Sequence, residues 1–125
     1  MFNMRKKGIA YLYKALGCEP SGAVAVSKYF KAEESWTGKP TWWFNLPIKK
    51  IKSDKRGYYY LLGKEKNSGF VILKVPTKFL RDNLKKFETR YQEQIRLHLT
   101  AEDKSWLVDE RGKGHVDFSR FELTA

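Results

Sequence analysis

The stretch TWWFNLPIKKIKSDKRGYYYLL, residues 41–62, decides how the chain is read. Its first six residues suit a pleated surface, and alternation puts Trp42, Phe44 and Leu46 on one side and Trp43 and Asn45 on the other. Pro47 ends that run. The connection KKIKSDKRG then carries five cations in nine residues, Lys49, Lys50, Lys52, Lys55 and Arg56, before the chain turns back into Tyr58, Tyr59 and Tyr60. The pattern reads as strand, basic loop, strand.

Working outward, YYYLL and FVILKV are joined by GKEKNSG, a loop with the charge, Asn and Gly of a hairpin connection. Pro76 closes the second strand. Thr77 then reads as the N-cap of a helix KFLRDNLKKF, with Leu80, Leu84 and Phe87 at i, i+4, i+7 and Phe79 widening the stripe. QIRLHLT alternates cleanly, which places Ile95, Leu97 and Leu99 inward and Arg96, His98 and Thr100 on an open, wet face. SWLVD and HVDFSRFEL read as further strands around a turn-rich RGKG. Upstream, RKKGIAYLYKALG sets Ile9, Leu12, Tyr13 and Leu16 on one helical face, with Gly17 as its C-terminal cap. CEPSGAVAVSKYF fits a short strand or a second helix. These elements predict one α+β domain spanning residues 1–125, with a mostly antiparallel, twisted sheet of about five strands and two helices.

The totals narrow the functional classes. The chain has 125 residues, 42% hydrophobic and 31% charged, enough apolar material for one core and too much for a disordered segment. One cysteine, Cys18, permits no intramolecular disulfide, and a reducing compartment is the simpler expectation. Lys14 interrupts the apolar run after Arg5, Lys6 and Lys7, so no signal peptide is read there, and no stretch is long enough for a membrane helix. The expected location is cytoplasmic, without membrane contact.

Charge is the extreme feature: 25 Lys and Arg against 14 Asp and Glu, net +11, with an isoelectric point near 9.8. Residues 1–66 hold 14 basic and 5 acidic side chains, a net +9, whereas residues 67–125 hold 11 and 9, a net +2. Such a field attracts polyanions. The helix dipole disfavours Arg5, Lys6 and Lys7 at a helix N-terminus, so helix stability does not explain their placement. The leading expectation is therefore a nucleic-acid-binding protein, for DNA or RNA, that contacts mainly the phosphate backbone. Arg5, Lys6, Lys7, Lys49, Lys50, Lys52, Lys55, Arg56 and Arg96 supply the cations, and Trp43 or Tyr59 supplies a ring for base stacking. Against it stands the plainer reading of a solubilising loop and core aromatics.

Two alternatives remain open. One is a protein-interaction module, an inhibitor or adaptor whose basic face meets an acidic partner. The other is a small metal-dependent nuclease using Glu102 or Asp109. The triplet Glu102, Asp103, Lys104 carries little weight, because 14 acids and 18 lysines in 125 positions yield about two such triplets by chance. It also reads as a helix start capped by Thr100. Asp109 and Glu110 read as ion-pair partners of Arg111 or Lys113 rather than as metal ligands. The GK pair at Gly38 and Lys39 is no nucleotide loop, since Glu33 stands where the first glycine is required. No catalytic residue, metal site or cofactor is expected.

Overall fold

The run YYYLL does not alternate because both faces of its strand are covered. The computed structural model describes residues 4–18, 22–35, 38–53, 57–65, 69–91, 93–102 and 106–123. The run lies in β4 (Tyr58–Lys64), the middle strand of a three-stranded sheet between β1 (Ala23–Ser27) and β5 (Phe70–Pro76). Tyr59 and Leu61 enter one hydrophobic cluster, and Tyr60 and Leu62 enter another. A strand sandwiched in this way has no wet side and no polar positions. β5 divides likewise, Val71, Leu73 and Val75 to the first cluster and Phe70 and Ile72 to the second.

β4 and β5 form the expected antiparallel hairpin, from Tyr58↔Pro76 to Lys64↔Phe70. β1 resolves as a strand and pairs with β4 in parallel. Parallel neighbours need a crossover. Here the chain leaves β1, builds β2 (Tyr29–Phe30) and β3 (Thr41–Pro47) of a second sheet, and returns through α2 (Ile48–Ser53). The second sheet runs β2-β3-β7-β6, with β6 (Glu88–Arg90) and β7 (Gln94–Thr100), and its pairs are antiparallel. Trp42, Phe44 and Leu46 of β3 and Ile95, Leu97 and Leu99 of β7 face the first sheet across the larger cluster, on the sides that alternation assigns them.

α1 (Met4–Leu16) lies on the other face of the first sheet. Its buried ridge is Met4, Gly8, Leu12 and Leu16, an i, i+4 series, and not the expected Ile9, Leu12, Tyr13 and Leu16. The reason is Gly8, where a Cβ would stand 3.1 Å from a Val26 methyl and 3.2 Å from Leu62. A missing side chain lets the helix sit close to the sheet, which a count of apolar residues does not register. Gly17, at φ +71°, donates to Tyr13 O and ends the helix as expected.

Other expectations change. The basic connection is helical over Ile48–Ser53, because Ile48 and Ile51, one turn apart, both reach the core and Ile51 is fully buried. α3 (Thr77–Asp82) is shorter than its pattern. It breaks at Asn83, whose side-chain amide donates to Phe79 O, and a 3₁₀ turn follows at Leu84–Lys86. Pro76, not Thr77, occupies the N-cap. Among the described residues, SWLVD and HVDFSRFEL supply only isolated bridges, Leu99↔Asp109, Val108↔Asp117 and Leu73↔Glu122, with a 3₁₀ turn at Ser119–Phe121. That segment bends so that Phe118 and Phe121 pack on Phe79, which an extended strand would not allow. The expected helix start at Asp103–Lys104 falls outside the described residues. The class is α+β. Among the described residues it comprises three helices and seven strands in two sheets, where about five strands in one sheet are expected. No helix among them is long and apolar enough to cross a membrane.

The packing of β4 on β3 yields a test. A Cβ at Gly63 would lie 2.5–2.8 Å from three ring atoms of Trp42, which is itself buried. Gly63→Ala should destabilise the fold by about 1–3 kcal/mol, read as a lower denaturant midpoint by tryptophan fluorescence. An unchanged midpoint would contradict this contact.

Candidate nucleic-acid interface

β1 is the edge of its sheet, and β2 covers β3 only at Thr41 and Trp42, so beyond Trp42 two strand edges face each other. Trp43 N–H points to this side, where Ser27 Oγ accepts it at 2.8 Å. Backbone direction alternates along a strand, so the N–H and C=O of Asn45 face the same way. The result is a groove of about 600 Å³ whose lining includes Arg5, Val24, Trp43, Asn45, Lys50 and Tyr59. Arg5 and Lys50 are its charged residues, and no carboxylate lines it among the described residues.

The two cations come from different helices. Arg5 lies in the first turn of α1 and donates from Nη1 to Val24 O at 2.8 Å, which anchors the guanidinium at the β1 edge. It also reaches Tyr59: burial raises the Tyr59 phenol above its ordinary pKa, and the nearby Arg5 charge partly offsets this. Lys50 projects from α2 on the opposite wall. Lys6 and Lys7 on α1 and Lys49 and Lys52 on α2 are exposed on the same two helices. Lys55 and Arg56 lie outside the described residues. Arg96, on β7, is the cross-strand partner of Asn45 and, on its other side, of Glu88. It therefore stands one strand beyond the groove, beside a carboxylate.

Neither expected stacking ring is available. Tyr59 is 5% exposed, because β4 points it into the core between the sheets. Trp43 is half-buried, and both faces of its indole are occupied. Phe30 from β2 stacks on it at 3.6 Å and His98 from β7 at 4.7 Å, with interplanar angles of 10° and 8°. Its Nε1 donates to Thr41 Oγ1. Among the described residues the rings left exposed are Tyr11, Tyr13 and Tyr91. Helical spacing places Tyr13 on the core face, and only the glycine-centred ridge turns it outward.

The outer face of the second sheet is less wet than alternation implies. His98 is 4% exposed and Thr100 fully buried: residues 107–110 pair along the β7 edge beside them, and Trp43 stacks on His98. Asp109 holds that segment. Its carboxylate accepts backbone N–H groups from His98, Arg111 and Gly112 at 3.1–3.2 Å. The expected ion pairs are redistributed: Arg111 pairs with Glu88, while Glu110 accepts from Lys39 at 3.0 Å and lies 3.6 Å from His115. Glu102 lies 3.9 Å from the Lys39 ammonium. Comparison with protein families, with curated proteins and with solved structures found no match.

Burial moves two titrations in opposite directions. It lowers His98 to about 4, with Arg111 and Arg96 adding to the effect and Glu88 opposing it. It raises Asp109 to about 6, against the three backbone donors. Between pH 4 and 6, His98 binds its proton more strongly in the unfolded chain, so its contribution to stability rises with pH. Asp109 binds its proton more strongly in the folded chain, so its contribution falls with pH. The two slopes, each about 1.4 kcal/mol per pH unit, nearly cancel. Asp109→Asn should therefore show stability increasing from pH 4 to 6, and His98→Gln stability decreasing, by chemical denaturation. Variant curves parallel to the parent curve would contradict these shifts.

Proposed function

We propose that the protein binds nucleic acid through the phosphate backbone, in the groove between β1 and β3. The observation that carries the reading is the convergence of Arg5 from α1 and Lys50 from α2 on one concave surface lined by no carboxylate among the described residues. Each helix adds exposed lysines on its flank. Opposed cations across a groove hold a polyanion at two points and release its counterions. Guanidinium and ammonium contacts to phosphate carry no base information, and the buried Tyr59 and the sandwiched Trp43 contribute no stacking. Binding in the groove is thus weakly selective for sequence.

A second reading is supported by the same strand edges. An acidic, extended peptide could add as a strand along β1 or β3, using the backbone groups of Asn45. Titration separates the two. Fluorescence anisotropy with random single- and double-stranded oligonucleotides should show binding that weakens steeply between about 50 and 200 mM salt. Lys50→Ala and Arg5→Ala should each lower affinity for every sequence and reduce the salt slope by about one, while Lys113→Ala, outside the groove, should change neither by as much. No binding at low salt, or binding indifferent to salt, would remove the proposal. Nuclease-resistant co-purification of one stoichiometric acidic protein would favour the peptide reading instead.

A further inference from the structure

The groove holds phosphates but offers no free ring, so any base contact must lie along its continuation. α1 provides one. The helix sits on the first sheet through its Met4, Gly8, Leu12, Leu16 ridge, and its two flanks face different strands. On one flank Tyr11 packs its ring on Phe70 of β5, with centroids 5.4 Å apart. On the other, Arg5 reaches Val24 O of β1. Eight residues separate Arg5 from Tyr13. At 3.6 residues per turn that is a net rotation of about 80°, the same drift that the i, i+4 ridge makes over two steps, so both keep the same flank. Tyr13 therefore stands on the β1 side, about 12 Å along the axis from the groove cation.

Tyr13 is 52% exposed, and no ring or cation among the described residues covers its face. Tyr91 is more exposed, at 79%, but lies at the β6–β7 turn with the Arg90 guanidinium 5.2 Å from its ring centre. Tyr11 is occupied by Phe70. α1 contains no acidic residue; Lys14 follows Tyr13 directly, and Lys6 lies seven residues, about two turns, before it. Helix stability explains neither the cations at the N-terminus nor an uncovered phenol on the solvent side.

Resting on the nucleic-acid reading above, we infer that Tyr13 is the base-stacking residue for a single strand that runs from the groove along this flank of α1. Stacking requires an unpaired base, so the ligand class is single-stranded nucleic acid rather than duplex. The test compares a single-stranded oligonucleotide with the same sugar–phosphate strand lacking bases. Tyr13→Ala should weaken binding of the intact strand roughly five- to a hundredfold and leave the abasic strand within about twofold, while Tyr13→Trp retains affinity. Photocrosslinking of the unsubstituted protein to a strand carrying 5-iodouracil should place the adduct on Tyr13. Equal losses on both strands, no loss on either, or adducts only at other residues would overturn the inference while leaving backbone binding standing. Failure of the parent protein to bind either strand would remove both.

Discussion

Burial of β4 on both faces is the constraint from which the rest of the architecture follows. Its odd residues fill the space between the sheets and its even residues fill the space beneath α1. One strand thereby joins three layers. Because β4 takes β5 on one side and β1 on the other, the edge of β1 becomes the boundary of the sheet, and the seat of α1 is set by how closely Gly8 approaches Val26 and Leu62. The positions of Arg5 and Tyr13 are consequences of that seat.

The groove owes its shape to a short crossing between sheets. β1 ends at Ser27, and after one residue the chain is already in β2 of the other sheet. The two sheets diverge from that point, leaving β1 and the far part of β3 with unshared edges. Ser27 marks the corner, bridging to Trp43 N–H through its hydroxyl. The Phe30, Trp43 and His98 stack then stiffens the outer face of β3, with Lys28 4.7 Å from the Phe30 ring at its end. An aromatic pair on neighbouring strands contributes by packing as well as by area. The indole that looks displayed in the sequence is spent on this stack.

Much of the strand content was legible. TWWFNL and QIRLHLT each have one face in the core, and period-two alternation assigned that face correctly for all six apolar side chains. YYYLL and FVILKV read as a hairpin from their loop, with Pro76 closing the second strand. The stretches that misled share a cause: local pattern describes a segment against an average environment. Ile48 and Ile51 made a basic connection helical because the core received them, and Phe118 bent a would-be strand because Phe79 and Phe87 lay beneath it.

By itself the chain of residues determined the α+β class, the β4–β5 hairpin, the inward faces of β3 and β7, and the concentration of cations in its leading half, since these depend on composition and spacing over a few residues. Only the tertiary structure decided that Arg5 and Lys50 share a groove, that Tyr59 and Trp43 are covered, and that Tyr13 is not. Those facts depend on which elements pack together and how closely, and contacts between residues distant along the chain leave no periodic trace within either segment.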